Sequence, residues 1–168
     1  MTTLHAQPYD LAASGFYFDS AESYAAQAAT LRNDYGQRVE EFEIQFIDGA
    51  TLDAQLFAAL GVNQANLGAF FDAVAAWDDD QKIKTIIAVG ELGYRFDLGR
   101  DDPDRLDIDL YQVGSLRDLA VQFVDEGLFG EIPKAIENYL DYDAIARDLS
   151  MDYGAVTIDG TRYAYRAT

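Results

Sequence analysis

The sequence contains no cysteine and a single histidine, His5. Without thiols, neither a disulfide framework nor a thiolate metal site nor a cysteine nucleophile can be built, and the redox compartment is left compatible with the cytoplasm. His5 stands in a weakly patterned N-terminal stretch, so a histidine-dependent dyad or triad has little support. Lysine is also scarce, with only Lys82, Lys84 and Lys134, and 12 basic residues face 30 acidic ones for a formal charge of −18. Such a surface favours solubility, works against compactness and repels nucleic acid directly; its natural partners are basic surfaces, cations or water. No run of about 18 apolar residues occurs, and residues 1–10 have neither a basic start nor an apolar core, which reads as a soluble, cytoplasmic chain with no membrane partner. A Gly-x-x-x-x-Gly-Lys-Ser/Thr loop is absent, Gly90, Gly93 and Gly99 read as turn punctuation, and no cofactor is expected.

What is present reads as a mixed chain. Residues 1–14 suggest a frayed start or an edge strand. Gly15 to Phe18 suggests a short strand, and Asp19 or Ser20 caps a helix running to about residue 34, with Tyr24, Ala28 and Leu31 on its apolar side. In the run VEEFEIQFI, Phe42, Ile44 and Phe46 alternate with Glu41, Glu43 and Gln45, predicting a strand with its acids on the wet face. Residues 51–77 turn helical, interrupted by Gly61; the apolar segment 81–89 is too short for periodicity to separate helix from strand and is read as helix from the alanine-rich helices before it. Pro103 among the aspartates of 97–109 favours an exposed turn before a strand, and Asp159-Gly160 between Val156, Ile158, Tyr163 and Tyr165 is a hairpin signal. The expectation is an α+β chain, elongated, in two or three small lobes: an αβ N-terminal domain over 1–50, a helical middle over 51–96, and an αβ C-terminal domain over 97–168 ending in a β-hairpin.

Residues 115–152 carry the densest information. Ser115 is an N-cap, Leu116, Leu119, Ala120, Phe123 and Val124 recur at helical spacing, and Gly127 supplies the stop. Pro133 fits the first turn of a second helix with Ile136, Tyr139 and Leu140 as its apolar face. Asp141 then caps a third, short helix through Leu149. With Arg117 and Asp118 set aside as a pair, eight carboxylates in this stretch face two cations, Lys134 and Arg147, and the acids fall mostly between the apolar positions. A densely negative surface follows. Arg147 is expected to pair with Asp143 one turn earlier, and Tyr139 and Tyr142 to pack in a core or an interface.

Within this stretch, EGLFGEIPKAIENYLDYDAIARDL resembles the antirestriction motif of the ArdA family. The matching positions are Gly127, Gly130, Ile132 and Pro133, then Asn138, Tyr139, Leu140, Asp141 and Tyr142, then Arg147, Asp148 and Leu149. The likeness thins toward the N-terminus. It implies an acidic, elongated homodimer that imitates bent duplex DNA, binds the basic DNA-binding surface of a type I restriction-modification methyltransferase core and blocks it without enzymatic activity. The acids that would stand in for phosphates are Glu41 and Glu43; Asp78, Asp79 and Asp80; Asp101, Asp102, Asp104, Asp107 and Asp109; and Asp125, Glu126, Glu131, Glu137, Asp141, Asp143, Asp148 and Asp152. Duplex DNA carries roughly one charge per 1.7 Å of axis, so about 18 charges correspond to roughly 30 Å of helix.

Other readings of the same acids remain. An acidic surface of this kind also suits an anti-CRISPR protein or another inhibitor of a basic groove. A carboxylate pair can run hydrolysis, though no pair is marked out here. A calcium loop starting at Asp97 fails, since the sixth and twelfth positions are Asp102 and Ile108 where glycine and glutamate are needed. Simple salt adaptation also enriches aspartate over lysine.

Overall fold

Leu4, Ala6 and Pro8 are buried while their neighbours face outward, and this alternation makes Thr3–Pro8 (β1) a strand with one dry face. The computed structural model describes residues 1–168. β1 is neither frayed nor at an edge: it is the middle of a three-stranded antiparallel sheet between Phe16–Phe18 (β2) and Phe42–Asp48 (β3). The N-terminal run looked weak because Ala6 and Pro8 are small or non-branched, yet it supplies the central row of the core. β3 follows the expected alternation, with Phe42 and Ile44 buried and Glu43 exposed.

The helix after β2, Ala21–Thr30 (α1), starts at Ser20, whose hydroxyl accepts the Ser23 N–H. It ends earlier than the sequence suggests. The Asn33 side chain accepts the Tyr35 and Gln37 N–H groups and donates to Asp10, offering the backbone a turn in place of a further helical turn. Three helices follow: Thr51–Leu60 (α2), closed by Gly61 in the left-handed conformation at φ 59°, Leu67–Ala76 (α3) and Asp79–Ile86 (α4). α4 runs on into a π-helical turn, Ile87–Glu91, confirming 81–89 as helical. Leu4, Phe18, Phe42, Ile44, Leu56, Phe70 and Ile87 form a buried core between sheet and helices, extended by edge-to-face rings such as Phe46–Phe57 at 5.8 Å and Phe57–Phe70 at 5.4 Å.

Inside this layer, Lys82 and Asp53 bury an ion pair joining α4 to α2, with Nζ 2.8 Å from Oδ1. The contact is ionic rather than an aligned hydrogen bond, and Oδ1 has no other partner.

Met1–Leu106 is one compact unit and Asp107–Thr168 a second. Both the sheet and the helices of 51–96 belong to the first. The second holds Ile108–Gln112 (β4), Leu116–Asp125 (α5), Tyr142–Leu149 (α6), Gly154–Ile158 (β5) and Thr161–Ala167 (β6). Its antiparallel sheet has the order β4-β6-β5, and β5 and β6 form the expected hairpin around Asp159 (φ 49°) and Gly160 (φ 74°), the two left-handed residues a tight hairpin turn needs. Leu119, Phe123, Tyr153 and Ala164 are its core, with Tyr111, Leu116 and Leu149 packed against them. Gly154 lies opposite Tyr165, whose ring occupies the space a Cβ would need. The chain is thus α+β, with two small sheets in separate lobes. No helix is long and apolar enough to cross a membrane.

Candidate partner-binding acidic surfaces

In the first unit, two sets of aspartates converge because each has a local bonding role. Asp78 caps α4: its carboxylate accepts the Gln81 N–H at 2.8 Å while the Gln81 side chain accepts the Asp78 N–H, a complete capping box. Asp79 and Asp80 follow in the first turn, where the helix dipole favours negative charge, and Asp80 also meets Lys84 at 2.9 Å. The short 3-10 turn Pro103–Arg105 is capped by Asp102, which accepts the Asp104 N–H. Gln81 Nε2 then donates to Asp104 Oδ1 at 2.8 Å, tying the 101–104 loop to the start of α4. Glu43 stays apart on the wet face of the first sheet, where it accepts from Gln45, which in turn bonds His5. Glu41 is exposed just before β3. No hydrogen bond or ion pair links these two glutamates to the aspartates of α4.

In the second unit the acids gather around the end of α5. Ser115 caps the helix by accepting the Asp118 N–H, and Gly127, at φ 77°, lets the chain turn so that the Leu128 N–H returns to the Phe123 carbonyl. Asp125, Glu126, Glu131 and Glu137 line a cleft of about 430 Å³ with Val124, Gly127, Gly130 and Ile132. α5 has no basic residue in its last turn. Asp125 and Glu126 therefore sit where the helix dipole is itself negative, a placement disfavoured by about 0.3–1 kcal/mol per charge at low salt. Asp141 caps α6 by accepting the Ala144 N–H at 3.0 Å, and Asp143, Asp148 and Asp152 are exposed beyond it.

Several expectations for this stretch are corrected. Pro133 does not open an α-helix: 131–136 is irregular and only a 3-10 turn, Glu137–Tyr139, forms before Asp141. Seven residues between proline and cap, without a buried apolar row, cannot repay helix nucleation. Ile136 is consequently 47% and Tyr139 84% exposed, so Tyr139 is in no core. Leu128 and Phe129 are exposed too. Asp143 pairs not with Arg147 but with Arg117, at 3.1 Å, and the same guanidinium lies 5.6 Å from the Tyr142 ring centroid, so it joins α5 to α6 instead of cancelling Asp118. Sequence spacing could show neighbours on one helix but not a partner across two.

Of the acids named from the sequence, all are exposed except Asp109. Arg166 donates to Asp109 through Nη2 at 2.7 Å and Nε at 3.2 Å, and this bond holds the guanidinium above its ordinary pKa. Arg166 also covers the Tyr153 ring at 5.0 Å, and burial pushes the Tyr153 phenol up. Asp109 is thus engaged in holding β4 to β6. Away from both groups, Asp10 titrates below the ordinary aspartate range because Asn33 and the Ala12 N–H donate to it.

Individual curated proteins give no match to the chain. A family model described as antirestriction protein (ArdA) matches residues 7–163, from within β1 into β6, and the chain belongs to the ArdA family of antirestriction proteins.

Proposed function

We propose that this antirestriction protein works by DNA mimicry, occupying the DNA-binding groove of a type I restriction-modification methyltransferase core and blocking both restriction and modification. The observation that carries the reading is the exposure of nearly every acid named above on frames fixed by caps and sheets. The lysines and arginines of such a groove normally neutralise phosphates and release counterions; here they would pair with carboxylates held at set positions. Because the protein offers no base edges, it should inhibit enzymes of different recognition sequence alike. The working form is a homodimer in the cytoplasm, and the exposed Leu128, Phe129 and Ile136 provide apolar surface that a second copy would cover.

The decisive experiment is competition between purified protein and a labelled duplex for the methyltransferase core, followed by fluorescence anisotropy across a salt series. Displacement that weakens steeply with salt is expected. Failure to displace the duplex even at low salt would end the proposal.

A further inference from the structure

Beyond the acid groups, the first unit contains a cleft of about 300 Å³ between the end of α3 and the loop 97–101. Its walls are Ala69, Ala73, Ala76, Trp77 and Leu98, small or apolar side chains, and its charged members are Asp72 and Asp101. Phe96 meets Trp77 edge to face at 5.8 Å and 89°, which fixes the indole. Gly99, at φ 97°, brings the loop so close to α3 that a Cβ there would sit 3.2 Å from the Ala69 methyl, so the narrow opening depends on a residue without a side chain. The Asp72 side chain makes no hydrogen bond or ion pair, and Asp101 uses one oxygen, Oδ2, to accept the Asp97 N–H at 2.6 Å.

We propose that this cleft is a seat for a single arginine side chain of the partner, with the guanidinium over Trp77 and between Asp72 and Asp101. The chemistry selects the occupant. An aromatic wall beside carboxylates attracts a cation both through the ring quadrupole and by direct pairing. A planar, weakly hydrated guanidinium suits an apolar slot better than a compact ammonium, and its fork can meet carboxylates with two donors. A merely apolar side chain would leave the carboxylates unanswered. The seat deepens the mimicry reading, on which the identity of the partner rests: one point of the interface would be a shaped pocket rather than a field of charge.

Trp77 is the only tryptophan in the chain, so its emission reports on the cleft alone. Titration of the whole protein with N-acetylarginine amide at low salt should give a saturable change in emission, about fivefold weaker with N-acetyllysine amide and absent with N-acetylleucine amide. Asp72→Asn and Asp101→Asn should each weaken the arginine response about fivefold, the order of one exposed charge contact. Asp118→Asn removes the same charge from the second unit and should leave the response unchanged. The Asp72 side chain takes part in no bond of the fold, so its variant stays informative should Asp101→Asn disturb the loop. A response that never saturates, that survives Asp72→Asn, or that leucine amide reproduces overturns the seat. A saturable arginine response together with failure of the duplex competition keeps the seat and removes only the mimicry reading.

Discussion

The two units carry a similar excess of acid for their length in different ways. Met1–Leu106 holds 18 acidic and 7 basic residues, Asp107–Thr168 holds 12 and 5. In the first, acids do structural work: Asp78 and Asp102 cap, Asp104 holds a loop, Asp80 meets Lys84 and Asp53 is buried against Lys82. In the second, Asp109, Asp141 and Asp143 have such roles, whereas the side chains of Asp125, Glu131 and Glu137 make no hydrogen bond or ion pair and Glu126 only accepts from Gln122 one turn back, at 3.0 Å, all four crowding a helix C-terminus and an irregular segment. Charge that helps the fold needs no function to explain it. Charge placed against the helix dipole does, and that placement falls at the start of the stretch 126–149 that resembles the ArdA motif.

The sharpest attempt to break this contrast is Lys82→Ala, which leaves the Asp53 carboxylate buried and alone. It should lower the stability of the first unit by about 3–5 kcal/mol in urea unfolding; a loss no larger than that of a surface change would mean the first unit's charges matter no more than the second's. Asp78→Ala, which removes a full capping box, should cost about 1 kcal/mol by the same measurement. In the second unit the sign should reverse. Asp125→Asn with Glu126→Gln is expected to raise stability by a few tenths to about 1 kcal/mol while weakening displacement of duplex DNA from the methyltransferase. Stability unchanged or lowered there would show that these acids have a folding role after all.

The smallest effect belongs to Asp10. Its folded pKa lies below the unfolded value, so its contribution is fully present above about pH 3.9 and is lost as pH falls through the lower, folded value. Asp10→Asn should therefore flatten the acid limb of urea midpoints measured between about pH 2 and pH 5, and leave neutral pH nearly untouched apart from the missing contribution.

Local signals were legible in proportion to how local their physics is. Asp141 and Ser115 were readable as caps, as was the first helix's start to within Asp19 or Ser20, Gly61 and Gly127 as stops, and Asp159-Gly160 as a turn, because each acts within four residues of itself. The alternation over 39–47 placed Glu41 and Glu43 in water, where both are, although only Glu43 belongs to β3. Features set by distant partners were not legible. β1 became central only by pairing with both β2 and β3, and Arg117 found Asp143 across two helices rather than its neighbour Asp118. The Lys82–Asp53 pair and the slot beside Trp77 likewise exist only once α2, α3, α4 and the 97–101 loop are packed. The helix expected at Pro133 failed for the opposite reason: a good start signal had no core to bury against.

The capping box at Asp78 has an evolutionary corollary. Drift at that aspartate is checked by unfolding, whether or not a restriction enzyme is present, so this corner of the molecule would persist through generations without selection for inhibition. Glu131 and Glu137 have no such insurance. A lineage that no longer meets restriction should erode those glutamates first, while Asp78 and Gln81 remain.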